Sequence, residues 1–374
     1  MSADHGSGDF RTMSVVVVVP WLDVGGADQV MLDTISTLAG AGGRIHVVTT
    51  QPSANRWLAR LGNTATSVWN LPALVPPGAA AMTLRDIVRM HDADVVHIAN
   101  SRLGYDVAPL LALEPRRPIV ICHLMGEEGT GNGYPRYAAT VHRDAIDLFL
   151  VVSDDLKSIV TDNGVADGRV LVVRPGIDLD HFTPGHRRRA QDDPLRLLMP
   201  ARLSEEKDPL LGLDVLAACM AAGHDVYLTF TGDGPLADEL QAEVTARGLS
   251  DRAKLTGAVA DIREQYQAHD LVLLTSRYEA TPLAACEGMA CGLPVVAPAV
   301  GGIPEIVDDE VGAAIVERTP DALAAAIARF TDEHARFQAG IAARLRAEAL
   351  FGPATTQEAL LNAYAVATRE RSAV

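Results

Sequence analysis

Two cations and two acids in the second half of the chain have the types and spacing most suggestive of chemistry. Arg202 and Lys207 stand in Met199-Pro-Ala-Arg-Leu-Ser-Glu-Glu-Lys-Asp-Pro, where an apolar run passes into a helical pattern. A planar guanidinium and a compact ammonium at a strand end suit a diphosphate, and solvated loop charges are the competing account. Further on, Glu279 and Glu287 are separated by seven residues in Thr275-Ser-Arg-Tyr-Glu-Ala-Thr-Pro-Leu-Ala-Ala-Cys-Glu. The first falls in a loop. The second is expected in the second turn of a helix capped by Thr281, with Pro282 in its first turn. Leu283, Ala284, Cys286, Met289 and Ala290 make that helix apolar or small on most sides, so a carboxylate within it needs partners. Ligand hydroxyls and a structural salt bridge both answer that need.

Two glycine turns accompany them. Gly25-Gly26-Ala27 follows the first apolar run and opens a helical pattern, where bare backbone permits close approach and free N–H groups favour anions. A purely structural turn fits it equally. Gly232-Asp-Gly-Pro-Leu-Ala satisfies a loose G-x-G-x-x-A pattern, but Pro235 in the turn and the lack of a ribose-binding acid at the end of the next strand argue against a dinucleotide cofactor. No phosphate-loop G-K-[ST], H-E-x-x-H or G-x-S-x-G motif occurs. The triplets Asp92-Ala-Asp94 and Asp178-Leu-Asp180 lie beside a strand start and in a linker, and chance explains both.

The elements that must position these residues alternate between short β-branched runs and longer amphipathic stretches, the mark of βαβ units and parallel sheets. Candidate strands span 15–19, 45–50, 94–98, 119–122, 148–152 and 170–173. After a Pro/Gly-rich stretch that ends in His186-Arg-Arg-Arg, the rhythm restarts at 195–199, 226–231, 253–256, 271–275, 294–297 and 313–316. Helical patterns include 28–38, 84–91, 154–162, 209–222, 236–247 and 282–290. The expected division is a flexible tail at 1–12, a first Rossmann-like domain at 13–180, a linker at 181–193, a second such domain at 194–352, and a helix at 353–374 crossing back to the first. Ligands of doubly wound sheets bind outside the carboxyl ends of the strands, so a cleft between the domains is the expected site.

Composition narrows the class. Forty-eight Asp and Glu against 32 Lys and Arg leave a formal charge of −16 over 374 residues, which argues against a general nucleic-acid binder. The four cysteines form no C-x-x-C pair and read as buried free thiols. No apolar run reaches the ~18 residues of a membrane span, and the polar start lacks a signal-peptide layout. A cytoplasmic location is expected.

Taken in order, Gly25-Gly26-Ala27, Arg202 with Lys207, Gly232-Asp-Gly-Pro, Glu279-x7-Glu287, Ala-Cys-Gly-Leu-Pro-Val-Val and Gly301-Gly302-Ile-Pro-Glu-Ile-Val resemble the retaining GT-B glycosyltransferases of the group 1, family 4 type. The resemblance runs over nearly the whole chain. It implies two facing Rossmann-like α/β domains and transfer of a sugar from a nucleoside-diphosphate donor to an acceptor hydroxyl, with anomeric configuration kept. By that resemblance Arg202 and Lys207 hold the diphosphate, Glu279 contacts the sugar and Glu287 the ribose. Ala280, Thr281, Pro282 and Leu283 face the donor, as does Gly232, and Ala258 and Val259 border the base. Gly25 and Gly26 face the sugar, and His123 lies at the end of its strand near the reacting centre, with His97 as the alternative histidine. The Ala-Thr-Pro after Glu279 departs from the Gly-Phe-Gly or Gly-x-Pro of many relatives. No metal or other cofactor is required on this reading. The acceptor is a small molecule or natural product, a membrane-associated acceptor is less favoured, and the alternatives are a GT-B-type nucleotide-sugar epimerase and a non-catalytic nucleotide-sugar-binding subunit.

Overall fold

A computed structural model describes residues 10–126, 133–185 and 193–372. His186-Arg-Arg-Arg and most of the expected linker lie outside the described residues. The chain forms two compact units, one comprising residues up to Gly176 together with those from Thr356 onward, the other Ile177–Thr355.

The first unit is a seven-stranded parallel sheet of β1 (Ser14–Val19), β2 (Arg44–Thr49), β3 (Ser67–Asn70), β4 (Val95–Ala99), β5 (Ile119–Leu124), β6 (Leu148–Val151) and β7 (Val170–Val172). Their order is β3-β2-β1-β4-β5-β6-β7. Five valines in succession make β1, and every residue of it is buried, as expected of a strand covered on both faces. The helix Pro353–Ser372 belongs to this unit from Thr356 onward. Its Leu360, Ala363, Tyr364 and Ala367, spaced as one helical face, share a core with Val15, Val17, Val95 and Ile121.

The second unit repeats the design with six parallel strands: β8 (Leu195–Pro200), β9 (Val226–Thr231), β10 (Ala253–Leu255), β11 (Leu271–Leu273), β12 (Val295–Pro298) and β13 (Gly312–Ile315), in the order β10-β9-β8-β11-β12-β13. The strand order reverses between β1 and β4 in one sheet and between β8 and β11 in the other. At such switch points the loops leave in opposite directions and open a crevice at the strand ends.

Several expectations shift. The edge strand β3 carries no long apolar run and escaped the periodicity reading. His123 lies within β5, which continues to Leu124, and not after the strand. The helix bearing Glu287 is Leu283–Ala290 with Pro282 in the cap position, so Thr281 precedes the cap and does not form it. The first unit ends at Gly176 and not at 180, and the residues from Ile177 pack with the second unit. Ile177 is buried in its core, and Arg344 holds the carbonyls of Leu179, Phe182 and Ala290. All four cysteines are buried free thiols. Among the described residues no helix is long and apolar enough to cross a membrane.

Candidate functional site

The loop after β8 and the loop after β11 flank the switch point of the second sheet, and their side chains lock them together. Asp208 opens the helix Pro209–Ala221: it adopts left-handed backbone (φ 47°) and its carboxylate accepts from the Leu211 amide. Arg318 and Arg277 both pair with Oδ2 of that carboxylate. From the β11 side, the Thr275 hydroxyl lies 2.8 Å from the carbonyls of Lys207 and Asp208, and the Arg277 amide donates to the Glu206 carbonyl over 2.8 Å. The backbone around Lys207 is therefore held from several directions.

That clamp delivers Lys207 to Glu279. The ammonium sits 2.7 Å from Glu279 Oε1, and the buried Ser276 hydroxyl donates to the same oxygen over 2.6 Å. Glu279 is almost buried, with Lys207 a quarter exposed. Only one of the three Lys207 N–H donors is spent within the described residues, and Glu279 Oε2 has no partner there. The carboxylate's backbone is pinned as well, since the Gly302 amide donates to the Glu279 carbonyl over 2.9 Å. Gly301, at φ +53°, must be glycine, because a Cβ there would stand 2.1 Å from that carbonyl oxygen. Arg202 lies on the same loop as Lys207 but differs from it: the side chain is exposed and has no partner among the described residues.

Gly232 serves this loop as well. It adopts φ +141°, and a Cβ would fall 2.0 Å from the Ala201 carbonyl, so only glycine lets the turn after β9 close on the turn carrying Arg202. Its amide donates to Gly257 beside Ala258 and Val259, which gathers three of the expected donor segments at adjacent strand ends. Glu287 projects from the helix Leu283–Ala290 and accepts from the Tyr266 hydroxyl over 2.9 Å. Burial pushes its carboxyl up to about 7, and the tyrosine bond offsets only part of that. The salt bridge that was the competing account for this carboxylate is absent among the described residues. Ala280 and Pro282 are buried beside Glu279, and Thr281 and Leu283, at the positive end of the helix, are partly exposed.

In the first unit, Gly25 is the N-cap of the helix Gly26–Gly40, in extended backbone, and its carbonyl accepts from Gln29 over 3.0 Å. Asp28, in the first turn, has its carboxyl pushed up to about 7 by burial, a perturbed acid that the sequence reading passed over. His123 is buried in β5, 3.2 Å from His97 on β4. Sequence reasoning also missed Ser276, Asp208, Arg277, Arg318 and Tyr266. Thr275, Ser276 and Arg277 stand within the segment that carries Glu279, but nothing local marks Arg318 or Tyr266 as partners. A groove of about 310 Å³ lined by Arg196, Tyr227, Lys254 and His269 lies on the face of β8, β9 and β10 and contains none of the expected site residues.

With this geometry in place, residues 24–181 match the family described as Glycosyltransferase Family 4 and residues 186–346 that described as Glycosyl transferases group 1. A D-inositol 3-phosphate glycosyltransferase of Geodermatophilus obscurus is 34% identical over 239 residues, covering 59% of this chain and 52% of the relative. The chain thus spans about half the length of that curated relative. The D-inositol 3-phosphate glycosyltransferase 1 of Catenulispora acidiphila is 30% identical over 73% of this chain and 72% of its own length. Among solved structures, a glycosyltransferase from Rickettsia africae superposes with a TM-score of 0.79 at 17% identity, covering 96% and 99% of the two chains. Anabaena HepE, solved in complex with UDP-glucose, gives 0.77 at 20% identity over 94% and 98%. The two parallel-sheet units are those of the GT-B fold. The chain belongs to the group 1 glycosyltransferases.

Proposed function

We propose that this protein transfers a sugar from a nucleoside-diphosphate-sugar donor to a hydroxyl of a small polyol-like acceptor, with retention of anomeric configuration. The observation that carries the reading is the Lys207–Glu279–Ser276 cluster at the β8/β11 switch point, which among the described residues leaves two ammonium N–H donors and one carboxylate oxygen to spare. Lys207 and Arg202, the latter without a partner among the described residues, offer a point charge and a planar fork to a diphosphate. Glu279 Oε2 offers an acceptor to sugar hydroxyls, and Glu287 one to ribose hydroxyls, with Tyr266 orienting it. The similarity to D-inositol 3-phosphate glycosyltransferases favours a small hydroxylated acceptor, and the UDP-glucose complex of HepE favours a uridine nucleotide among the donors.

In the reaction, the acceptor oxygen forms a bond to the anomeric carbon on the face from which the diphosphate departs. The bond from that carbon to the diphosphate oxygen breaks with its electron pair, and a diphosphate oxygen takes the acceptor's proton. Lys207 and Arg202 stabilise the charge that grows on the leaving group, commonly the largest catalytic contribution. That cationic pair supplies what a divalent ion would otherwise supply, so chelator is expected to leave turnover within about twofold.

The test is release of nucleoside diphosphate from a panel of nucleotide sugars, with and without inositol phosphates and related polyols, alongside thermal shift. A donor at 100 times its dissociation constant stabilises the folded protein by ~2.7 kcal/mol. Acceptor-dependent product with the donor's anomeric configuration supports the proposal. An epimerised sugar formed without acceptor, or no stabilisation by any nucleotide sugar, refutes it.

A further inference from the structure

Three buried groups of the first unit form a hydrogen-bonded chain that the proposed reaction does not by itself explain. Tyr364, on the helix Pro353–Ser372, places its hydroxyl 2.7 Å from His97 Nδ1, and His97 Nε2 lies 3.2 Å from His123 Nδ1. The arrangement follows from the sheet. His97 pairs in register with Ile121, so His123, two residues on, lies on the same face one step nearer the strand end. The helix covers that face. All three side chains are essentially without solvent contact, and His123 Nε2, at the end of the chain, has no partner among the described residues.

The protons can be placed by counting donors and acceptors. Burial keeps both imidazoles neutral, holding His123 down at about 4 and His97 well below its ordinary value, so each ring carries one N–H. Burial also holds the Tyr364 phenol protonated. If the phenol donates to His97 Nδ1, His97 Nε2–H donates to His123 Nδ1, and the only group left over is His123 Nε2–H. If the chain runs the other way, two buried groups are stranded, the phenolic hydrogen and the His123 Nε2 lone pair. Each stranded group bears its desolvation cost without a hydrogen bond to offset it, so the arrangement that strands one group and not two is selected.

We propose that Tyr364 and His97 are positioning residues that fix His123 as its Nε2–H tautomer, so that this histidine meets a ligand oxygen as a hydrogen-bond donor and not as a base. The ligand class is a neutral hydroxyl or an anionic oxygen of the sugar or acceptor. For the identity of that oxygen the inference rests on the glycosyltransferase reading; for the tautomer it does not.

The experiment is a long-range ¹H–¹⁵N correlation spectrum of the full chain labelled at histidine, at pH 7.5, with His123 assigned from the His123→Gln variant. The expected signature is a protonated Nε2 and an unprotonated Nδ1 on both rings. Protonated Nδ1 on His123 overturns the relay, whatever the activity. In Tyr364→Phe, His97 is expected to gain Nδ1–H population, with kcat falling about tenfold and KM for donor holding within about twofold. Unchanged spectra and unchanged kcat in a folded Tyr364→Phe protein also overturn it, and if that variant does not fold the wild-type spectrum still decides. His123→Gln, which keeps an N–H donor, is expected to retain more turnover than His123→Glu. The reverse ranking contradicts the donor role. Absence of transfer with every nucleotide sugar refutes the proposed function while the ring signature still tests the relay.

Discussion

Lys207 and His123 both stand close to the place where strand order reverses in their sheets, yet the fold holds them by opposite means. Lys207 is on a loop, partly exposed and charged, held by an acid 72 positions away in sequence and by backbone bonds from Thr275 and Arg277. His123 is inside a strand, fully enclosed and neutral, fixed by hydrogen bonds alone. An ammonium keeps its charge at modest cost near solvent, where a carboxylate can meet it. An imidazole in an apolar core avoids the cost by staying uncharged. The first region can therefore stabilise developing charge, and the second can present a proton or lone pair in one fixed direction.

The largest expected effect breaks the charged region. Lys207→Ala and Glu279→Ala should each lower kcat/KM by ~100-fold or more, measured as nucleoside diphosphate release. Because the two side chains are bonded to each other, the double variant should fall far short of the product of the singles, and simple additivity would show that they act apart. Next, Arg202→Ala should cost about tenfold in kcat/KM and leave the unfolding midpoint unchanged, since the exposed side chain has no partner among the described residues. A clear loss of stability would mean that Arg202 is held as Lys207 is.

Glu287 sharpens the comparison because it is an acid treated as the first unit treats its histidines. Glu287→Gln should weaken binding of the nucleoside diphosphate by roughly fivefold in calorimetry, the size of one hydrogen bond to an uncharged partner. Its pH dependence has a definite sign. The folded carboxyl titrates near 7 against an ordinary 4.5, so the folded state holds a proton that the unfolded chain releases between those values. Wild-type stability is favoured below about pH 4.5 by this group and declines as pH rises through 7. The Gln variant lacks that decline, so its urea midpoint should gain on wild type between pH 5 and pH 8. Parallel profiles would show that Glu287 is ionised throughout.

How much of this could be read before folding differs from element to element. The strands were legible because both faces are covered, so the five valines of Ser14–Val19 read as an unbroken apolar run and Leu195–Pro200 as one interrupted only by Arg196. Ser67–Asn70 was not, being short and half exposed at an edge. The helix at 154–162 was legible to the residue because Ser153 caps it with its hydroxyl. The helix at 283–290 was misjudged by one position because Thr281 has the right chemistry for a cap but Pro282 takes the place. Arg202, Lys207, Glu279 and Glu287 could be singled out as charged groups beside turns. Their pairings could not: Lys207 meets Glu279, and Glu287 meets Tyr266.

Local order along the chain therefore determined the alternation of strand and helix, the two parallel sheets and the set of residues able to do chemistry, because periodicity and turn residues act over a few positions. Which of those residues meet was decided only when the sheets formed. Contacts such as Tyr364 with His97, 267 positions apart, depend on strand order and on which face a distant helix covers. The burial that displaces the titration of Glu287, Asp28 and His123 arises in the same step, since removing water from a charged group requires neighbours that only the folded chain supplies.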